Sequence, residues 1–125
     1  MNRYIIHTFG CQMNKHDSER MAGLLESREY TPAHSDDEAD VIGFNTCAVR
    51  ETADDRMYGQ VASLKAIKTG GRPDVIIAVG GCVGQRDGEE MLRRLPHVDV
   101  VFGTHNIADL PSLIEAAAAG KPTAR

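Results

Sequence analysis

Four short runs of β-branched and aromatic residues punctuate the chain: Tyr4-Ile5-Ile6-His7-Thr8-Phe9, Val41-Ile42-Gly43-Phe44, Val75-Ile76-Ile77-Ala78-Val79 and Val98-Asp99-Val100-Val101-Phe102. Each gives way to Gly or Asn, so each is predicted to be a strand that ends in a turn. Between the runs, apolar positions return at helical spacing. Met21, Leu24, Leu25 and Arg28 fall at i, i+3, i+4 and i+7, with the aliphatic stem of the arginine at the edge of the stripe. Ala53, Met57, Val61 and Leu64, then Ile67, share a face in the second stretch. Asp87-Gly88-Glu89-Glu90 has the form of a capping box ahead of Met91, Leu92 and Leu95, and Pro96 stops that helix. Asn106 is placed to cap a last helix whose apolar side is Leu110, Leu113, Ile114 and Ala117, and Gly120 closes it.

The predicted order is thus strand and helix in strict alternation. A run as apolar as Val75 to Val79 suits a parallel sheet covered by helices on both faces. Right-handed crossovers then favour a three-layer, doubly wound α/β fold, flavodoxin-like, with a mainly parallel sheet of four to five strands. The expected strand order is 2-1-3-4, which puts the first strand in the middle of the sheet.

Composition narrows the picture. With 125 residues and 42% apolar content the chain suits one domain with a single core, read as residues 1–119; the polar, Pro-containing stretch 120–125 reads as the start of a linker. A formal net charge of −4 argues against general attraction to nucleic acid phosphates, so any RNA contact must be local. The first residues lack a signal-peptide pattern, and no apolar stretch approaches the roughly 18 residues of a membrane span. A cytoplasmic protein without membrane partners is expected. In that setting three cysteines predict reduced thiols, suited to metal or redox chemistry.

Cys11, Cys47 and Cys82 each follow a predicted strand, and the intervals between them are roughly 35 residues, about one strand-helix unit of a parallel sheet. Parallel strands would bring all three thiols to the carboxyl edge, where open α/β sheets bind ligands. Three thiols cannot pair off, yet they can hold three corners of a metal centre and leave a fourth position open. A thiol near the start of a helix is favoured as the thiolate. Gly10, Gly80, Gly81 and Gly84 read as letting backbone approach a bulky inorganic ligand. The competing reading is that each cysteine is a small buried hydrophobe in an α/β core.

His16 is the candidate fourth ligand of a Cys₃His zinc site, though it reads more simply as an exposed residue near a helix start. His7 reads as packed or hydrogen-bonded, and His34, His97 and His105 carry no spacing signal. Glu51, Asp54 and Asp55 read as complements of a helix dipole. Around the thiols stand polar side chains suited to a substrate: Gln12, Asn14, Asn45, Thr46, Arg50, Gln85 and Arg86. Each is otherwise a turn or cap residue. Arg50 and Arg86 would either steer a phosphate or offset the charge of a thiolate-bound centre. No dinucleotide-binding or P-loop glycine pattern is present, and Gly-Gly-Cys stands where a receiver domain would carry its aspartate.

The motifs Gly10-Cys11-Gln12-Met13-Asn14, Asn45-Thr46-Cys47-Ala48-Val49-Arg50-Glu51 and Gly80-Gly81-Cys82-Val83-Gly84-Gln85 together resemble the N-terminal domain of radical-SAM methylthiotransferases. The resemblance runs over nearly the whole chain, through Asp17-Ser18-Glu19 and Val101-Phe102-Gly103-Thr104. Gln-Met-Asn after Cys11 is similar to the tRNA-modifying branch, whereas the branch acting on a ribosomal protein commonly carries Pro-Lys-Asn. Gly84 departs from the Ala expected there, a small-for-small exchange.

The resemblance implies that Cys11, Cys47 and Cys82 ligate an auxiliary 4Fe-4S cluster whose open iron holds a sulfur species. It further implies a separate central domain with a second 4Fe-4S cluster and S-adenosylmethionine, and a C-terminal TRAM domain that grips tRNA. The reaction implied is methylthiolation of N6-isopentenyl-adenosine beside the anticodon. The Cys-x-x-x-Cys-x-x-Cys triplet of the central domain is absent from this chain, which is therefore expected to be an inactive piece of the enzyme. The alternatives are a zinc-binding or thiol-redox interaction module, or the matching domain of a ribosomal-protein or threonylcarbamoyladenosine methylthiotransferase.

Overall fold

The structure, a computed structural model, describes residues 3–8, 12–46, 58–71, 74–81, 90, 92–93, 95, 97–118 and 123–124. Its centre is a six-stranded sheet in the order β2-β1-β3-β4-β5-β6. The strands are β1 (Arg3–Thr8), β2 (Thr31–Pro32), β3 (Val41–Thr46), β4 (Ile76–Gly81), β5 (Val100–Phe102) and β6 (Thr123–Ala124). Every pairing is parallel.

The flavodoxin-like, doubly wound class is as expected, but the strand order differs in one respect that matters for the site. The central strand of the three that precede cysteines is β3, flanked by β1 and β4, and not β1. The difference arises at β2, an exposed two-residue strand containing Pro32, which pairs with Arg3 and Tyr4. Too short and too polar to show in an apolar pattern, it occupies the place assigned to the Val41 run. Thr123–Ala124, within the stretch read as a linker, adds β6 beside β5.

The helices are α1 (Gln12–Glu26), α2 (residues 58–63), α3 (Lys65–Thr69) and α4 (Leu110–Ala118). A turn at Leu64 separates α2 from α3, and Glu90, Leu92 and Arg93 are also helical. Side-chain alternation along the strands sends neighbours to opposite faces. Ile76 and Ala78 of β4 join Tyr4, Val41, Val100 and Phe102 under α1 and α4, where Met21, Leu25, Leu110, Leu113 and Ile114 are buried. Ile77 and Val79 join Ile42, Phe44 and Val101 on the other face, closed by Val61 and Leu64, with Leu92 and Leu95 packed against them. Phe44 and Phe102 are fully buried, and each contributes about 1.5–3 kcal/mol by leaving water.

One helix expectation is corrected: Arg28 lies beyond α1, where its guanidinium pairs with Glu115 of α4 at 2.9 Å. Asn106 sits within a 3₁₀ segment, Thr104–Asp109, that precedes α4; its backbone is non-helical (φ −110°, ψ 15°), marking a kink there, and its amide lies 3.5 Å from Asp109 Oδ2. Ala53, Met57, Asp87, Gly88, Glu89 and Gly120 lie outside the described residues.

Candidate functional site

Because β1, β3 and β4 are adjacent and parallel, their C-terminal ends share one edge of the sheet. Thr8 is the register partner of Asn45, Asn45 of Gly80, and Thr46 of Gly81. In sequence, Thr46 and Gly81 stand immediately before Cys47 and Cys82, and Thr8 stands three residues before Cys11. The described chain thus leaves the sheet at three neighbouring points, each leading toward one of the cysteines. Cys11, Cys47 and Cys82 lie outside the described residues, as do Gly10, Gly84, Arg50, Gln85 and Arg86. Gln12 and Asn14 belong to the first turn of α1, and Thr46 closes β3. Among the described residues no group of three His, Cys, Asp or Glu side chains converges as a metal site.

Asn45 departs from the expectation of a side chain facing substrate. It is 1% exposed, and its Nδ2 donates to Ser18 Oγ on α1 at 3.0 Å. Ser18 Oγ in turn lies 2.7 Å from Thr8 Oγ1, so hydroxyls from α1 and β1 share a hydrogen bond. One polar chain therefore joins β3, α1 and β1 at the edge where the cysteine loops begin. Ser18 and Thr8 escaped the sequence reading as site residues. The available signal was Ser18 itself, a hydroxyl three residues before Met21 and seven before Leu25, hence on the buried stripe of the helix.

The structure gives Gly80 a role other than ligand approach. A Cβ at position 80 would lie 2.2 Å from Phe102 Cζ, so the glycine admits a buried ring from the neighbouring strand. His16 and His7 are as read. His16 is exposed on α1, and His34 is also exposed. His7 is packed and hydrogen-bonded, with Nε2 2.6 Å from Asp36 Oδ1 and its ring stacked on Phe44 at 5.1 Å. His97 donates from Nε2 to the Val61 carbonyl at 2.6 Å. No helix among the described residues is long and apolar enough to cross a membrane.

Residues 3–103 match the sequence profile of a family described as Uncharacterized protein family UPF0004. The chain is also similar to curated tRNA-2-methylthio-N(6)-dimethylallyladenosine synthases. It is 59% identical to that of Acidothermus cellulolyticus over 91% of this chain and 23% of the relative. Identity to the Mycobacterium bovis protein is 59%, over 91% of this chain and 22% of the relative. For Thermobifida fusca it is 56%, over 91% and 23%. The chain thus spans under a quarter of the length of these relatives.

Proposed function

The chain belongs to the UPF0004 family, and from that premise we propose that it is the auxiliary iron-sulfur domain of a tRNA-2-methylthio-N6-dimethylallyladenosine synthase. Its similarity to enzymes of that name supports the reading. The observation that carries it is the register of β1, β3 and β4, which gathers at one sheet edge the three chain exits that lead to Cys11, Cys47 and Cys82.

The donor set fits the group. Three thiolates suit a soft iron-sulfur centre and would leave one iron without a protein ligand. Cys11, Cys47 and Cys82 would hold this 4Fe-4S cluster, and when bound it would supply the sulfur that a radical reaction places on the adenine ring. Every other contribution of this chain is positional. The parallel sheet aligns the exits, and Gln12, Asn14, Thr46, Arg50, Gln85 and Arg86 would be the candidates to line the approach. The two arginines would offset the negative charge of a thiolate-bound centre or steer a phosphate.

The remainder of the parent polypeptide would supply a radical-SAM domain with its own 4Fe-4S cluster and S-adenosylmethionine, and a TRAM domain that binds the tRNA. With tRNA as substrate, the working compartment is the cytoplasm.

The test uses the full-length parent enzyme, incubated anaerobically with S-adenosylmethionine, a reductant and isopentenylated tRNA. Nucleosides are then analysed by mass spectrometry. Cys47→Ala is expected to abolish the 2-methylthio product while S-adenosylmethionine cleavage continues. Undiminished product from Cys47→Ala would contradict the proposal.

A further inference from the structure

We propose that Asn45 and Ser18 are positioning residues for the cysteine-bearing edge. Their hydrogen bond fixes the N-terminal half of α1, the helix that follows Cys11 in sequence, against the end of β3, which leads into Cys47. The inference rests on the reading of that edge as an iron-sulfur site.

Three observations converge on it. First, Asn45 is the exception on its strand: Val41, Ile42 and Phe44 are buried apolar residues, whereas Asn45 is equally buried and polar. An apolar residue there would pack without the desolvation cost of an amide, so the amide is explained by the hydrogen bonds it makes, that to Ser18 among them, rather than by core stability. Second, this bond crosses to the helix, with Nδ2 3.0 Å from Ser18 Oγ. Ser18 extends the link to Thr8 Oγ1 at 2.7 Å, so the outer partners are the last residue of β1 and the next-to-last of β3, each three or fewer residues from a cysteine in sequence.

Third, α1 also meets β3 at a second level. Two residues earlier on the same face of β3, Met21 Cε lies 3.7 Å from where a Cβ at Gly43 would stand, ordinary van der Waals contact. Met21 faces position 43 and Ser18 faces Asn45, so the helix runs antiparallel to the strand and meets it at both levels. The apolar contact lies deeper in the sheet. The polar one lies at the rim, where the direction of a hydrogen bond sets both distance and rotation. Loss of a group that hydrogen-bonds a metal ligand directly typically costs about 10–100-fold in metal affinity or activity; Asn45 and Ser18 act through the backbone that carries the ligands, so the low end of that range, about tenfold, is expected.

The test reconstitutes this chain anaerobically with ferrous iron and sulfide, then follows the rate of iron loss to a chelator well below the melting temperature. Ser18→Ala removes the acceptor from a partly exposed position and is expected to release iron about tenfold faster than wild type. Ser18→Thr, which keeps the hydroxyl, is expected to restore slow release. Asn45→Ala is expected to match Ser18→Ala, and should it fail to fold, Ser18→Ala alone decides. A purely structural role would lower the melting temperature of the metal-free variants and leave the release rate unchanged. Wild-type release rates in Ser18→Ala overturn the inference alone. Absence of iron and sulfide from wild type overturns the reading of the site and this inference with it.

Discussion

Gly80 of β4 and Phe102 of β5 are register partners, and the ring of Phe102 fills the space that a side chain at position 80 would occupy. Phe102 is fully buried beneath α1 and α4, so it has no free volume into which to retreat. Gly80→Ala is therefore expected to destabilise the chain by about 1–3 kcal/mol through overpacking. Phe102→Leu shortens the obstructing group, and the double variant is expected to be more stable than the sum of the single losses predicts. Urea denaturation of the four proteins measures the coupling, and strict additivity would contradict it.

The glycine also shows what a sequence withholds. Strands β1, β3, β4 and β5 and the apolar stripes of α1 and α4 were legible, because burial imposes its period directly on Val75 to Val79 or on Leu110, Leu113 and Ile114. Strand order was not. It depends on β2, whose pairing rests on backbone hydrogen bonds that Thr31 and Pro32 do not announce. The candidate site was half legible: the cysteine spacing pointed to three strand ends that do share an edge, but Asn45, Ser18 and Thr8 meet only through the crossing of α1 over β3. Gly80 looked like a partner of a ligand because the residue that needs it lies 22 positions away, on β5.

Asp99 extends the ladder between β4 and β5 with its side chain. Its backbone N–H donates to the Ile77 carbonyl at 2.9 Å, while its Oδ2 accepts from the Ile77 N–H at 3.0 Å and from Lys68 Nζ of α3. Removing the carboxylate leaves a buried strand N–H and a mostly buried ammonium without this acceptor. Asp99→Ala is expected to cost about 2–4 kcal/mol. Asp99→Asn keeps a carbonyl oxygen for Ile77 and is expected to cost about half as much. Thermal melts of the two variants check the ranking, and equal losses would contradict it.

Tyr4 links stability to alkaline pH. Burial, then the hydrogen bond its hydroxyl donates to Glu26 Oε2 at 2.9 Å and the charge of that carboxylate, push its pKa up to about 12. The unfolded tyrosine ionises near its ordinary value of about 10. Between these values the unfolded chain has lost a proton that the folded chain keeps. The contribution of Tyr4 is thus fully present below pH 10 and falls as pH rises toward 12. Comparing wild type with Tyr4→Phe by chemical denaturation should show the stability gap between them shrinking across that window. A gap constant from pH 9 to about 12 would contradict the assignment.

The central claim is that one sheet edge assembles a three-cysteine iron-sulfur site. The most direct measurement is iron and acid-labile sulfide per chain after anaerobic reconstitution of wild type and of Cys11→Ala, Cys47→Ala and Cys82→Ala. The account predicts about four of each in wild type and loss of the assembled cluster in every single variant. Full iron and sulfide in any one of the three variants, or zinc without sulfide in wild type, would contradict it.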